Sequence, residues 1–279
     1  MKKLLIAILL IVFLPQKIKA THWLTSFEDA QKLAIATNKL IVVDFWATWC
    51  GPCKAMDANT WSKPEVQTVL NNFIPLKLDI DINHSLALKY NVKSIPYVFI
   101  IDSNGEVLFQ RMSYMNEIQV IEILKKYSYV TKLMQDELLS YYKNKTGDNA
   151  LQLAEKYLDY SIYVKDEVKK DFLRLGKDYL KKTYKLYKKE GDSKKNKQRI
   201  DLLTDVYIAI LQGDYTDALK KLNKKFDENK IEDSNKTLYN FLNYIAYSKI
   251  QDRENAKLWY KKLEQMEGYQ SFFLKSRKI

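Results

Sequence analysis

The chain has few residues that could cross-link it or hold a metal ion: two cysteines and two histidines occur among its 279 residues. A second cysteine pair would have indicated structural disulfides, and the sequence has none. Neither His22 nor His84 has companion ligands nearby, and His84 is expected only to begin or cap a short helix. No phosphate-binding or catalytic-triad spacing occurs, and a zinc site on the cysteines would need further ligands. We therefore expect no metal and no cofactor, and the cysteine pair is the first candidate for chemistry.

The two cysteines stand in Trp49-Cys50-Gly51-Pro52-Cys53-Lys54, which is the spacing of a redox dithiol. An apolar, β-branched run at 40–47 predicts a buried parallel strand before them, and 54–58 predicts a helix after them. Cys50 is thereby placed at a helix N-terminus, where unpaired N–H groups and the helix dipole stabilise a thiolate. Such a site lowers the pKa of a cysteine from about 8.5 toward about 7 or below.

Several segments resemble the thioredoxin family in order and spacing. They are Val-Asp-Phe-Trp-Ala at 43–47, the Trp-Cys-Gly-Pro-Cys-Lys block, Lys-Leu-Asp-Ile-Asp at 77–81, Lys-Tyr-Asn-Val-Lys-Ser-Ile-Pro at 89–96 and Asn-Gly-Glu-Val at 104–107. The resemblance covers 21–130 and implies an α/β fold with a central mixed sheet flanked by helices. Features at Trp23, 27–30, 38–39 and 56–66 are closer to the periplasmic thioredoxin-like domains of thiol:disulfide interchange proteins.

The resemblance implies a role for each residue of the site. Cys50 resembles the attacking thiolate, exposed at the edge of the site, and Cys53 the resolving thiol, so the two would form a redox-active disulfide. Asp44 resembles a buried carboxylate that shuttles the proton of Cys53, because a carboxylate among apolar neighbours is costly unless used or paired; a strand residue facing solvent is the alternative. Lys77 resembles a lysine that pairs with this aspartate, and a solvated lysine at a strand edge is an equal alternative.

The implied substrate groove contains Trp49, Gly51, Pro52, Ile95 and Pro96. Pro96 matches the family's cis-proline, which presents backbone to an extended substrate. Trp46 is expected to pack beneath the site.

Three positions depart from the family pattern. Tyr97 replaces the usual threonine and predicts an aromatic ring beside the groove, and Ser113 stands where a rim loop usually has glycine. No proline kinks the helix after Cys53, and Ser62-Lys63-Pro64-Glu65 predicts a new helix that begins with a capping box on Ser62.

Residues 1–20 have the pattern of a secretory signal peptide: two early lysines, an uncharged apolar run at 4–14 and a small residue, Ala20. Eleven apolar residues are too few to span about 30 Å of hydrocarbon as a helix. We expect cleavage after Ala20 and export to a bacterial periplasm; an uncleaved membrane anchor is the alternative. A periplasm is kept oxidising, so the dithiol would act on disulfide-containing envelope proteins and need a membrane electron donor or an oxidant to recharge it.

The formal net charge of +12 arises mainly in the second half, since 21–130 has ten basic and eleven acidic residues and 131–279 has 32 and 23. A basic excess can attract nucleic acid or anionic membrane. These lysines alternate with acids at helical spacing, which favours a solvated helix surface, and we expect no nucleic acid partner.

From about residue 131, apolar residues three and four apart predict an all-α region of about seven helices, at 133–142, 151–158, 168–187, 202–211, 219–226, 238–250 and 258–266. The pairs at 147–148, 191–192, 213–214 and 251–252 predict helix stops and N-caps. Segments 213–219 and 253–256 resemble the second helix of a tetratricopeptide repeat, although their alanines are 38 residues apart, which breaks the 34-residue period. An irregular bundle is the alternative. The tyrosines here are expected to be core residues more than a binding stripe.

The sequence thus divides into 1–20, 21–130 and 131–279, and two functions fit it. The first is an exported thiol:disulfide oxidoreductase that reduces protein disulfides through a Cys50 mixed disulfide resolved by Cys53. Gly-Pro between the cysteines resembles the reducing type, with a potential of about −270 mV against about −120 mV for a strong oxidant. The second is a helical module that binds an envelope protein, with the first domain as an accessory redox guard.

Overall fold

The computed structural model describes residues 22–192 and 194–279, so the expected signal peptide lies outside the described residues. Within that part of the chain, no helix combines the length and the hydropathy needed to cross a bilayer. Strands and helices alternate as far as Tyr127, and only helices follow from Lys132 onward. The predicted α/β fold followed by an all-α region is confirmed.

A four-stranded mixed sheet forms the centre of the first half. Its strands are β1 (Ile41–Trp46), β2 (Ile74–Asp79), β3 (Tyr97–Ile101) and β4 (Val107–Met112), in the spatial order β2-β1-β3-β4. β1 pairs in parallel with β2 and antiparallel with β3, and β4 is antiparallel to β3. The flanking helices are α1 (Phe27–Thr37), α2 (Gly51–Met56), α3 (Pro64–Leu70), α4 (His84–Lys89) and α5 (Glu117–Tyr127). The strand predicted at 40–47 is β1, and His84 begins a short helix as predicted.

β1 divides its side chains between two apolar layers, because successive strand residues point to opposite faces of a sheet. Phe45 packs in one layer with Tyr90 and Phe99. Val42 belongs to the other layer, which also contains Trp61. Asp44 follows the alternation of Val42, so the strand places one carboxylate against the second apolar layer.

The segment after α2 corrects one prediction. α2 continues through a π-helical turn at Asp57–Trp61, and α3 begins at Pro64 with Lys63 as its N-cap residue. The Ser62 hydroxyl donates to the Ala58 carbonyl at 2.6 Å and closes the preceding turn. The predicted capping box on Ser62 is therefore wrong, because the π-helical turn extends the earlier helix up to that residue.

The second half contains α6 (Gln135–Lys143), α7 (Gly147–Tyr160), α8 (Asp166–Lys189), α9 (Lys197–Asp201), α10 (Ile208–Gln212), α11 (Tyr215–Lys225), α12 (Asp233–Lys249), α13 (Arg253–Glu264) and α14 (Tyr269–Ser276). A π-helical stretch at Leu202–Tyr207 joins α9 to α10, so the two form one continuous rod, here the α9–α10 helix. Each of the seven predicted segments overlaps a helix. The sequence missed α14, which has no fully buried residue and so gives a weak apolar pattern.

Two of the four predicted helix caps are correct. Asp214 precedes α11, and Asp252 precedes α13, where its side chain accepts a hydrogen bond from the Asn255 N–H at 3.1 Å. The cap of α7 is Thr146, which places Asp148 inside the helix. Gly191, with φ 84°, follows the end of α8 as the predicted stop, but α9 follows Asn196 and not Asp192. The tyrosine prediction also holds in part: Tyr157, Tyr179 and Tyr187 are fully buried, while Tyr163 and Tyr184 are exposed.

Hydrogen bonds join the helical half to the turn between β3 and β4. The hydroxyls of Tyr157 and Tyr179 donate to Oδ2 of the buried Asp102 at 2.8 and 2.7 Å, and the N–H groups of Asn104 and Glu106 donate to its Oδ1. We call Asp102 with the two tyrosines the Asp102 anchor. Because β3 runs antiparallel to β1, this anchor lies at the end of the sheet opposite the cysteines. Buried side chains form one cluster from the sheet into the helices, and the division at residue 130 stays a prediction.

Candidate redox active site

The two cysteines form a disulfide at the N-terminus of α2, with their Cα atoms 5.3 Å apart. Cys50 is the N-cap residue, and its Sγ accepts a hydrogen bond from the Cys53 N–H at 3.1 Å. β1 ends four residues earlier, so the strand delivers the chain directly to the helix start. Negative charge that develops on Cys50 would therefore meet a backbone donor and the positive end of the helix dipole.

The disulfide is more enclosed than the resemblance implies. Cys50 is 3% exposed and Cys53 is 2% exposed. Ala47 lies in the same apolar cluster, with Trp46, Ile80 and Ile95 packed against it. The expectation of an exposed Cys50 is thus wrong for the disulfide form, because these apolar neighbours cover both sulfurs, and Trp46 packs beside the site as expected.

Asp44 is buried close to this helix, with 2% of its surface exposed. Its Oδ2 accepts a hydrogen bond from the Trp61 indole N–H at 3.1 Å and lies 3.7 Å from the Lys77 ammonium. Its Oδ1 is buried with no hydrogen-bond partner among the described residues. Burial raises the pKa of Asp44 to about 7, against the lowering effect of Lys77 and of the indole donor. A carboxyl group with that pKa can both accept and release a proton at neutral pH.

Lys77 is paired and mostly enclosed, so the solvated alternative does not describe it. It stands beside Asp44 in the parallel register of β1 and β2. Its ammonium forms a close ion pair with Asp57 and lies 5.1 Å from the centre of the Trp46 ring. The lysine therefore bridges two carboxylates, one on the sheet and one on the helix that carries Cys53.

Sequence reasoning missed Asp57 and Trp61 as parts of this site. Asp57 lies one helical turn after Cys53, and its charge adds to the raised pKa of Asp44. The four-residue spacing from Cys53 could have identified Asp57, because residues four apart share a helix face. The reach of Trp61 to Asp44 depends on the π-helical turn, which no sequence pattern indicated.

The groove residues lie beside the disulfide. The Ile95–Pro96 peptide bond is cis, and the Pro96 carbonyl accepts a hydrogen bond from the Ser113 N–H at 2.9 Å. Trp49 is 66% exposed, and its indole N–H donates to Asp81 at 2.9 Å. Gly51 and Pro52 are exposed at the start of α2.

Tyr97 corrects the prediction of an aromatic ring beside the groove. It is 8% exposed, and its ring centre is 4.4 Å from that of Phe99 in the layer that contains Phe45. Strand alternation turns it away from the groove, since Tyr97 and Phe99 share a face of β3. Met112, which pairs with Tyr97 across the sheet, and Tyr114 are exposed apolar residues near the start of β3.

Comparison with known proteins assigns the first half to a family. The thioredoxin family model matches residues 23–126. A thioredoxin of Mycoplasmoides gallisepticum is 33% identical over 91 residues, which are 33% of this chain and 87% of that protein. The chain belongs to the thioredoxin family. Thioredoxin-T of Drosophila melanogaster is 37% identical over 84 residues, 28% of this chain, and the chain spans 50% of that protein's length.

Among solved structures, the oxidised C-terminal domain of DsbD from Neisseria meningitidis is 24% identical, with a TM-score of 0.33. The match covers 38% of this chain and 99% of that one. In the present chain, the predicted residues Cys50, Cys53 and Pro96 lie at the end of the sheet at which β1 finishes and β3 starts. Asp44 and Lys77 pair with each other two positions inside that end. Their catalytic roles stay predictions.

Proposed function

We propose that the protein is a thiol:disulfide oxidoreductase that reduces disulfides of other proteins. The observation that carries the proposal is the Cys50–Cys53 disulfide at the N-terminus of α2, together with the lysine that pairs both with the buried carboxyl of Asp44 and with Asp57, one turn after Cys53. A structural disulfide would need neither a nearby proton acceptor with a pKa of about 7 nor a helix N-terminus under its first sulfur.

In the reduced protein the Cys50 thiolate attacks one sulfur of a substrate disulfide. A Cys50–substrate disulfide forms, and the other substrate sulfur leaves as a thiolate, which takes a proton from solvent. Asp44 then takes the proton of Cys53, and the Cys53 thiolate attacks the Cys50 sulfur. The Cys50–Cys53 disulfide forms, the second substrate sulfur leaves as a thiolate that takes a proton from solvent, and Asp44 releases its proton to solvent. Two electrons thus pass from the dithiol to the substrate.

An insulin reduction assay with dithiothreitol tests this proposal. The wild type is expected to accelerate insulin precipitation, and Cys50→Ser is expected to abolish the acceleration. Cys53→Ser should instead accumulate a covalent mixed disulfide, because nothing resolves it. A wild type no faster than Cys50→Ser would contradict oxidoreductase activity.

The direction of electron flow is tested by equilibration with a glutathione series. We expect a reduction potential near −270 mV, roughly the value of reducing thioredoxins. A reduction potential near −120 mV, about the value of a strong periplasmic oxidant, would show that the protein oxidises thiols and does not reduce disulfides.

Export to a periplasm, with cleavage after Ala20, belongs to the same proposal and is supported by the charge-free apolar run at 4–14. A membrane electron donor would then keep the dithiol reduced, and disulfide-containing envelope proteins would be the substrates. Mass spectrometry of the mature protein tests the cleavage, and an intact Met1 would contradict it.

A second function is protein binding by the helical half. The position at which this half is attached to the sheet favours it. The Asp102 anchor holds this half at the end of the sheet away from the dithiol, so its attachment uses none of the residues predicted for the groove around Pro96. Cells that carry Cys50→Ser would separate the two functions. An unchanged phenotype with this variant, together with a lost phenotype in a binding-deficient variant, would make binding the principal function.

A further inference from the structure

A long depression, here the α8 groove, separates α8 from the α9–α10 helix. It consists of two adjoining cavities of about 620 and 400 Å³ that share Lys177. Residues 173–177 of α8 lie opposite 208–214, and 177–185 lie opposite 200–205, so the two walls run antiparallel. From Asp166 to Lys185 the groove follows about 29 Å of helix, at about 1.5 Å per residue.

The floor of the groove is apolar. Leu173 and Leu180 line it from α8, and Ile200, Ile208 and Leu211 line it from the other wall. Tyr184 stands at one end with 53% of its surface exposed. An apolar floor of this length between two helices is suited to the apolar side of a third helix, which presents residues at spacings of three and four.

The two walls differ in charge. The basic lining residues all lie on α8, and they are Lys169, Lys170, Arg174, Lys177, Lys181 and Lys185. Among the described residues, Lys170, Lys177 and Lys185 have no carboxylate partner. On the opposite wall Asp201 and Asp205 are already paired, with Lys197 and Lys225 at 2.6 and 2.8 Å. Asp166 at the start of α8 and Asp214 on the opposite wall also line the groove. Unpaired positive charge therefore lies on the α8 side only, beyond its first turn.

We propose that the α8 groove binds an acidic amphipathic helix of a protein partner. The apolar face of such a helix would lie on the floor, and its carboxylates would face the unpaired lysines of α8. A partner segment of about 18 residues, or five turns, matches the length of the groove. The inference rests on the second proposed function. It adds the surface that binds the partner and the chemistry of that partner.

An anionic membrane fits the groove less well than an acidic helix. The apolar floor is recessed between two helices, where a bilayer surface cannot reach it. Asp201, Asp205 and Asp214 would also face the lipid from the second wall. A helix avoids that repulsion because it can present its acidic side to α8 and a neutral side to the α9–α10 helix.

The middle of the groove adjoins the sheet. Arg174 lines both the groove and a neighbouring cavity of about 430 Å³ along β4. Its guanidinium donates to the carbonyls of Val107 and Leu108 at 3.1 and 2.7 Å. β4 continues from there to Met112, opposite Tyr97 and next to Pro96. Arg174 would thus lie about one strand length, about 17 Å at about 3.3 Å per residue, from the end of the sheet at which Pro96 stands.

The test is selection from a displayed library of cysteine-free, 18-residue helical peptides against the full chain. Apolar residues are fixed at spacings of three and four, and every other position is random. We expect enrichment of peptides with several Asp or Glu residues on one side of the apolar stripe. The groove variant Lys170→Glu with Lys177→Glu should weaken their binding about 10-fold or more, which is about 1.4 kcal/mol.

The matched control is Lys220→Glu with Lys257→Glu. These lysines are exposed, lie within α11 and α13, and have no carboxylate partner among the described residues, so the control makes the same change in net charge outside the groove. It should bind the selected peptides as the wild type does. Thermal unfolding of both variants shows that each is folded.

Four results would overturn the inference. Enriched peptides without net negative charge, or no enrichment, would contradict the charge argument. Acidic peptides that bind the groove variant as well as the wild type would place binding on another surface and leave the second proposed function standing. The full chain could also sediment with vesicles containing 30% phosphatidylglycerol. If the groove variant loses this sedimentation and the control keeps it, the groove binds an anionic membrane and not a helix.

Discussion

At the scale of single residues, Asp44 is the group expected to move the proton of Cys53. Asp44→Asn keeps the shape of the side chain and removes its basicity. Release of glutathione from a preformed Cys50–glutathione disulfide should slow about 100-fold at pH 7, a typical contribution of a general base. The wild-type rate should rise with pH up to about 7, as Asp44 loses its proton, and the variant should lack this rise. Stopped-flow measurement of glutathione release between pH 5 and 8 gives both results.

Glu122→Gln is the control for Asp44→Asn, because Glu122 is an exposed carboxylate on α5. It should leave the rate and the pH profile unchanged. Equal rates for wild type and Asp44→Asn across this pH range would show that Cys53 loses its proton to another group.

Asp44 also lowers the stability of the folded protein as its charge forms. Its pKa is raised from 3.8 to about 7 by burial, so the folded state keeps a proton that the unfolded state has released. The stability of the wild type should therefore fall as pH rises from about 4 to about 7. Asp44→Asn should raise the unfolding free energy at pH 8 by up to about 4 kcal/mol, as measured by urea denaturation.

Ser113 holds a left-handed backbone conformation with φ 97°, which favours glycine. Ser113→Gly should raise the unfolding free energy by about 1 kcal/mol, because release of backbone strain exceeds the added flexibility of the unfolded chain. Ser113→Ala keeps the strain and should give no gain. A stabilised alanine variant would mean that the hydroxyl group, and not the backbone, is unfavourable here.

The sequence predicted those residues of the site that lie close together along the chain, because their spacing indicates a strand followed by a helix. Cys50, Cys53 and the adjoining strand lie within a short stretch, so their relation could be deduced from local patterns. Asp57 and Trp61 were missed because their contacts with Lys77 and Asp44 join residues 17 to 20 positions apart. The ring of Tyr97 was predicted on the wrong side of the sheet. The replacement of the family's threonine by tyrosine does not indicate which face of the strand the side chain is on.

At the scale of elements, the Asp102 anchor joins α7 and α8 to the turn between β3 and β4. Tyr157→Phe with Tyr179→Phe removes both hydroxyl donors and leaves a buried carboxylate oxygen without a partner. The unfolding free energy should fall by about 3 to 6 kcal/mol, since two hydrogen bonds to a charged group are lost and each is worth about 1.5 to 3 kcal/mol. Amide hydrogen exchange at Asn104 and Glu106 should become faster.

Tyr163→Phe is the control for this pair, since Tyr163 is 50% exposed and makes no hydrogen bond through its side chain among the described residues. It should change the stability by less than about 0.5 kcal/mol. A double variant as stable as the control would show that apolar packing alone fastens the helices.

Helix periodicity in the sequence located seven helices. It missed a helix that buries few side chains, and it did not identify the residues that cap two of the helices. α14 has no fully buried residue, so its sequence lacks a strong apolar stripe. Thr146 and Asn196, and not the nearby aspartates, precede α7 and α9, because several residues near each start can act as caps. The π-helical stretches have no sequence signature that would separate them from α-helix.

At the scale of the whole molecule, burial divides the twenty tyrosines into two groups. Burial raises the pKa of Tyr141 and Tyr160 to about 12 and that of Tyr157, Tyr179 and Tyr207 well above the ordinary value of 10.0. The folded state keeps protons that the unfolded state would lose, so stability should fall as pH rises above about 10. Absorbance at 295 nm should show the exposed tyrosines ionising first and the buried ones together with unfolding.

Circular dichroism recorded on the same samples separates the two steps. Loss of helical signal should coincide with the second absorbance step. A single smooth titration of all tyrosines near pH 10, with the helical signal intact, would contradict the burial of these rings.

The Asp102 anchor also bears on how the molecule can be divided. The turn at 102–105 is buried, with Asn104 donating to the Leu138 carbonyl at 3.2 Å and Asp102 bonded to two tyrosines of the helical half. A fragment that stops at residue 130 would open this turn to solvent and strip the carboxylate of its tyrosine donors. We therefore expect the first half, when separated from its helices by recombination, to be less stable than it is in the full chain.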